Sequence, residues 1–174
     1  LAREPIADVV CGNPHFPDEQ KRLISGTVGD TRVICAYMPN GQEVGCDKYD
    51  YKLRWLDSLA VWVGEEMAKY PKLALCGDHN IAPDDRDVHD PKRWADCILV
   101  SPPERAAFQR FLGLGLSDSF RLFEQPEKTF SWWDYRMLGF QKNQGLRIDH
   151  VLLSKPLAEN CTAAGVDRAP RKLE

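Results

Sequence analysis

Asp78 and Asn80, two positions apart directly after Gly77, are the side chains in this sequence most clearly disposed for chemistry. They close the run Leu-Ala-Leu-Cys-Gly-Asp-His-Asn-Ile, residues 73–81. A short apolar stretch bounded by glycine has the signature of a buried strand. Side chains alternate along an extended backbone, so this carboxylate and this amide leave the strand end on the same side. Such a pair can hold a metal ion, activate a water and hydrogen-bond a phosphoryl oxygen. A polar turn capping a core strand explains the spacing equally well, so other residues must decide. Tyr37 ends an apolar run beside the turn signal Met38-Pro39-Asn40-Gly41, and Asp149 interrupts the apolar run 145–154. Singly, Tyr37 reads as a core ring, and Asp149 as the structural ion-pair partner of Arg147, its same-face neighbour. Together the four imply a polar pocket at one edge of a sheet.

The elements that would position these residues can be read from periodicity and punctuation. Residues 21–28 and 31–37 are strand-like runs separated by Gly29 and Asp30, which predicts a hairpin with a two-residue turn. Residues 48–69 carry Leu56, Leu59, Ala60, Val63 and Met67 at helical spacing, and Pro71 ends that amphipathic helix. A strand over 72–77 follows, then a long Asp- and Pro-rich loop over 78–91, a length typical of functional loops. Ser101-Pro102-Pro103-Glu104 is a helix start with a capping box, and the helix should end near Gly113-Leu114-Gly115. Further strands are expected at 116–120, at the aromatic Phe130-Ser131-Trp132-Trp133, with Trp133 inward, and as one run over 145–154. Strands mixed with helices point to an α/β or α+β layered domain with a mixed sheet.

Composition narrows the classes. The 174 residues suit a single domain, and no run of 18 or more apolar residues could span a membrane. A net charge of −3 argues against non-specific coating of nucleic acid but leaves room for a nuclease with a local basic patch. Arg136, Lys142, Arg147, Arg168, Arg171 and Lys172 cluster in the last quarter, and alone they read as a solvated surface. The six cysteines form no Cys-x-x-Cys pair, which argues against zinc; Cys35 and Cys76, inside apolar runs, are expected as buried free thiols. Such usage fits a reducing cytoplasm.

Four segments, in order, carry a more specific message: Tyr37-Met38-Pro39-Asn40-Gly41, Gly77-Asp78-His79-Asn80-Ile81-Ala82-Pro83, Phe130-Ser131-Trp132-Trp133-Asp134-Tyr135-Arg136 and Leu146-Arg147-Ile148-Asp149. Along essentially its whole length the chain resembles the exonuclease III family of abasic-site endonucleases and 3′-to-5′ exonucleases, within the endonuclease/exonuclease/phosphatase superfamily. The resemblance implies a four-layer sandwich of two mixed sheets flanked by helices. It also implies roles. Asp78 would orient or deprotonate the attacking water and, with Asn80, contact Mg²⁺ or Mn²⁺. Asn80 would hydrogen-bond the phosphate, Tyr37 would contact it, and Asp149 would hold a histidine. Trp132 and Leu146 would line the pocket for a flipped-out abasic sugar, while Arg136 and Asn40 would contact DNA. The implied partner is double-stranded DNA with abasic sites or 3′ ends, met by a monomer with no membrane role.

Two family pieces have no counterpart here: an upstream metal-binding glutamate, and a Ser-Asp-His motif expected after residues 168–174. The expectation is therefore a central part of one domain, incomplete at both ends and inactive as this span alone. His150 cannot stand in for the missing histidine, because it neighbours Asp149 on a strand and points the other way. His79 likewise faces away from Asp78 and Asn80, as a packing or surface residue, and His15 and His89 lie in loops with no evident partner. Two other readings stay open: a superfamily phosphatase or phosphodiesterase acting on a small molecule, and a non-catalytic nucleic-acid-binding relative. The Trp132 segment speaks against the former and the retained Asp78 and Asn80 against the latter.

Overall fold

The computed structural model describes residues 2–170, so Arg171 and Lys172 of the basic cluster lie outside the described residues. Its main layer is a six-stranded mixed sheet in the order β1-β2-β3-β4-β8-β5. The strands are β1 (Ile6–Cys11), β2 (Leu23–Val28), β3 (Thr31–Ala36), β4 (Leu73–Asp78), β8 (Asp149–Ser154) and β5 (Leu116–Asp118). β2 and β3 form the expected hairpin across Gly29 and Asp30, while β3 and β4 run parallel. A parallel return needs a long crossover, supplied by α1 (Asp47–Lys69). The short α2 (Pro91–Trp94) lies in the loop after β4. α3 (Pro102–Gly113) opens with both halves of the capping box at Ser101 and Glu104, and α4 (Lys155–Ala158) follows β8.

One face of the sheet is sealed. Ile34, Leu73, Leu75 and Leu152 meet Trp55, Leu56, Leu59 and Val63 of α1 and Phe108 and Phe111 of α3 in a single buried cluster. The opposite face carries a row set by register, Cys11–Ile24–Cys35–Cys76–Val151. Cys35 is exposed and Cys76 half-buried, contrary to the expectation of two buried thiols. The apolar runs around them marked the strands correctly. Alternation nonetheless sends every second side chain to the face that the helices leave open.

A second, antiparallel sheet joins β6 (Trp132–Trp133) to β7 (Gly145–Leu146), so the second layer is a two-stranded ribbon among the described residues. The run 145–154, expected as one strand, is therefore two. The chain leaves the ribbon after Leu146, turns through Arg147 and Ile148, and enters the large sheet as β8. The Ser131 hydroxyl accepts from the backbone N–H of both Ile148 and Asp149 at 3.1 Å, fastening the turn. The turn swings Arg147 inward, away from Asp149, so the ion pair that their spacing suggested does not form. Two smaller differences are local. Residues 119–122 wind into a 3₁₀ turn whose Phe120 N–H is capped by the Asp118 side chain, and β1 went unrecognised because it is largely exposed.

Gly77 is required by geometry. Its φ is +127°, and a Cβ there would collide with the backbone oxygen of Ala36 on β3. Backbone cannot yield as a flexible side chain can, and L-residues resist that dihedral. Gly77→Ala should cost roughly 3 kcal/mol of stability, with thermal unfolding lowered by roughly 6–12 °C. Melting within about 2 °C of the unaltered protein would show that β3 and β4 are not held this closely.

Candidate active site

The register alone assembles most of the predicted residues. Asp78 and Asp149 are direct partners across β4 and β8. Tyr37 stands two residues beyond Cys35, and Asp78 two beyond Cys76, where Cys35 and Cys76 are themselves partners. Alternation thus puts Tyr37, Asp78 and Asp149 on the open face at the same end of the sheet. Hydrogen bonds stitch the neighbouring loops to that end. Met38 N–H donates to the Asp78 carbonyl at 2.9 Å, and the Asn80 amide donates to the Met38 carbonyl at 2.9 Å. Asn40 Nδ2 donates to Asn80 Oδ1 at 3.2 Å, and the Asn80 backbone N–H donates to Asp78 Oδ1 at 2.8 Å.

Asn80 is buried and holds φ at +51°, a left-handed conformation that asparagine adopts more readily than most residues. That kink turns the chain off the strand and aims the amide back across the site. Tyr37 is half exposed, with the Arg22 guanidinium 5.4 Å from its ring centre. Ser131 ties the aromatic ribbon to this edge through its bond to Asp149 N–H.

The remaining predicted residues occupy different surroundings. Trp132 is half-buried and lies opposite Leu146 in the ribbon. Leu146 is fully buried in a cluster with Ala82, Val88, Leu99, Val100 and Ile148, so it backs Trp132 from beneath and presents no surface of its own. Trp133 is buried, as alternation predicted. Arg136 is exposed and engaged locally, bonding both oxygens of Asp134. His89, for which the sequence offered no partner, sits 3.1 Å from the Gly145 carbonyl through Nδ1, and His15 meets Glu65 at 2.9 Å.

Electrostatics favour a proton acceptor at Asp78. Burial pushes its carboxyl up to about 6, and the facing Asp149 adds to the rise, while the Asn80 N–H and the Lys52 ammonium pull the other way. Burial also raises Asp149, though its side chain reaches solvent and its Ser131 hydrogen bond opposes the rise. In the linkage sense, a carboxyl raised on folding favours the folded state at low pH. That contribution is lost as pH climbs from 3.8, the ordinary aspartate value, through about 6. In the metal-free protein, the Asp78 carboxyl followed by ¹³C NMR should titrate near 6, and Asp149→Asn should move the midpoint down. An ordinary midpoint near 3.8 would refute the raised proton affinity, and a midpoint unmoved by Asp149→Asn would remove the coupling to Asp149.

Beneath this edge lie two buried charge assemblies that periodicity did not reveal. Arg147 places all five guanidinium N–H groups. Nε and Nη2 reach Asp87 at 2.7 and 3.2 Å, Nη1 and Nη2 reach Asp118 at 3.2 and 2.7 Å, and Nη1 reaches His150 Nδ1 at 3.0 Å. Because Arg147 can only donate, His150 Nδ1 is an acceptor, and Nε2–H donates to the Ile81 carbonyl at 2.9 Å. Burial, then the adjacent guanidinium, drives His150 down to about 3, fixing it neutral. His150 thus faces away from Asp149, as alternation predicted. His79 is fully buried beside it, 5.1 Å between ring centres, and neither ring nitrogen has a hydrogen-bond partner among the described residues. The second assembly is Lys52 with Glu104, both fully buried. In the sequence Lys52 is indistinguishable from a solvated lysine, and Glu104 shows only its capping-box role.

Comparison with known proteins gives a consistent result. Exodeoxyribonuclease III of Haemophilus influenzae is 38% identical over 170 residues, covering 90% of this chain. The chain spans 63% of that relative's length. A 3′-5′ exonuclease, NExo, from Neisseria meningitidis superposes with a TM-score of 0.97 at 42% identity, covering 99% of this chain and 68% of the other. A further structure, the 3′ phosphatase NExo from Neisseria bound to a product DNA hairpin, superposes with a TM-score of 0.89 at 42% identity, covering 91% and 62%. The description "Endonuclease/Exonuclease/phosphatase family" matches residues 1–171, and on that match, with the strand-end residues gathered as they are, the chain belongs to this family.

Proposed function

We propose that the protein to which this chain belongs is a DNA-repair phosphodiesterase that hydrolyses DNA at 3′ ends and abasic sites with the help of Mg²⁺. The observation that carries this reading is the Asp78–Asp149 pair on one open strand end, with Asn80 bonded to both Met38 and Asn40 beside it. The names of the relatives, an exodeoxyribonuclease and a 3′ phosphatase seen with DNA, support the substrate class.

Among the described residues no group of three or more His, Cys, Asp or Glu gathers to hold a metal. Asp78 with Asn80 Oδ1 still suits Mg²⁺, which binds through one or two carboxylates and keeps water or phosphate oxygens for the rest. The Asp149 carboxylate, which makes a second negative charge at Asp78 unfavourable, is an environment that a divalent cation would relieve. When bound, such an ion would neutralise charge developing on the phosphoryl and leaving oxygens.

The chain's own residues would do the rest. Asp78, whose carboxyl burial raises in the metal-free protein, would accept a proton from the attacking water. Asn80 spends one amide hydrogen on Met38 and keeps the other for a phosphoryl oxygen, a donor that adds no repulsion to an anion. Tyr37 offers a phenol hydroxyl on the same face. Trp132 presents an aromatic surface beside the site that favours a baseless sugar over a full nucleotide. We place the reaction in the cytoplasm, with a monomeric enzyme; six free cysteines support a reducing setting.

The test uses the full-length protein on three duplexes bearing an abasic-site analogue, a 3′-phosphate or a plain recessed 3′ end, each with Mg²⁺ and with chelator. Chelator-sensitive turnover of at least one duplex is expected. Turnover confined to a soluble phosphomonoester, or no turnover of any of the three, would overturn the reading.

A further inference from the structure

Lys52 is a charged side chain with no exposure, and each of its three N–H donors has an acceptor. It donates to the backbone carbonyl of Asn80 at 2.7 Å, to that of Asn40 at 3.1 Å and to the carboxylate of Glu104. The two carbonyls belong to the two residues whose side-chain amides bond each other at 3.2 Å. They lie on different loops, one following β3 and one following β4. Glu104 is equally committed. It also accepts from Leu99 N–H and Ser101 N–H, both at 3.1 Å, and from the Ser101 hydroxyl at 2.6 Å. The aliphatic stem of Lys52 lies against Gly41, where a Cβ would come within 3.0 Å of it. A single ammonium therefore joins α1, the start of α3 and both loops of the strand-end site.

We propose that Lys52, braced by Glu104, is a positioning residue for the proposed hydrolysis: it holds the Asn40 and Asn80 backbones so that their amides meet substrate in one fixed arrangement. This rests on the phosphodiesterase reading. Taking a lysine wholly out of water is costly. A core that needed only stability would be served as well by apolar residues of similar volume. What an apolar pair cannot supply is three directed donors. Two carbonyls on separate loops would then lack partners, and the left-handed turn at Asn80 would lose its fastening. Loss of about an ångström of placement suffices to slow a positioned reaction on the order of 10²-fold.

Two variants of the full-length protein separate positioning from support. Lys52→Met leaves Glu104 buried and unpaired, so both stability and turnover should fall. Lys52→Met with Glu104→Gln removes both charges while keeping a side chain able to serve the capping box. Breaking a buried pair from one side is costly, whereas replacing both partners is commonly neutral. The double variant should therefore melt clearly above the single variant, yet keep kcat lowered on the order of 10²-fold with KM changed less than about threefold. The Asn40 and Asn80 side-chain amide signals in ¹H–¹⁵N spectra should also move. Recovery of kcat together with stability would reduce the pair to a structural role and overturn the proposal. Should the unaltered protein cleave no DNA, the functional reading fails separately. The amide spectra then judge the clamp, and unmoved Asn40 and Asn80 signals in the double variant would overturn it.

Discussion

Converting Asp78 to asparagine is expected to lower kcat/KM of the full-length protein on the proposed DNA substrate by roughly 10²–10⁴-fold, the span usual for loss of a positioned general base. The exchange is nearly isosteric. The Asn80 N–H can still be accepted by the new side-chain oxygen, so the turn after β4 should survive. What disappears is a carboxyl that burial raises to about 6, together with half of the Asp78–Asp149 carboxylate pair. Stability should hold or rise slightly at neutral pH, since a buried carboxyl raised on folding is a liability there. A companion change, Asn80→Ala, should cost roughly 10²–10³-fold through loss of a phosphate donor. It should also lower stability, because Asn40 and Met38 lose their partners. Steady-state rates beside melting curves separate the two. Asp78→Asn within about threefold of the unaltered rate would remove this residue from the chemistry.

Arg147→Met should give the largest loss of stability. Asp87 is fully buried and Asp118 nearly so, and Arg147 meets both carboxylates with paired N–H donors while the Phe120 ring lies 4.7 Å from its guanidinium carbon. Methionine fills much of the volume and supplies no charge, leaving two carboxylates whose remaining cation is Arg121, which bonds Asp87. Removing one side of a buried ion pair costs about 3–5 kcal/mol. At the usual conversion for a chain of this size, the melting temperature should fall by roughly 6–20 °C. His150 would simultaneously lose the donor to Nδ1 and the charge that helps hold it neutral. Arg147→Lys, which keeps the charge but not the forked geometry, should fall between the two. A loss below about 3 °C for Arg147→Met would show that the assembly contributes little.

The contrast between what the sequence revealed and what it hid follows the range of the interactions. The Gly29-Asp30 hairpin, the α1 stripe and the Ser101–Glu104 capping box rest on residues a few positions apart, and each stands where the local pattern placed it. Asp78, Asn80, Tyr37 and Asp149 were legible because alternation carries a side chain's face to the end of its strand. The split of 145–154 was not legible. Apolar residues continue on both sides of the point where the partner strand changes from β6 to β4, with no turn signal between them. Arg147 then appeared to be a same-face neighbour of Asp149, although it turns inward to Asp87 and Asp118. Lys52 with Glu104 was hidden for a related reason, since a charge buried against a partner from another helix looks like any solvated charge. The cysteine row erred in the opposite sense. Apolar neighbours identified the strands but could not say which face the helices cover.

The ladder between β4 and β8 has a consequence in time. These strands are joined by the whole intervening stretch containing α2, α3, β5 and the ribbon, and Asp78 meets Asp149 only when the two zip together. Pairings so distant in the chain are late events in folding. A half-made polypeptide still emerging from the ribosome would carry its hairpin and α1 but not this carboxylate couple. The proposed hydrolytic site would thus come together only once β8 has been made and has paired with β4.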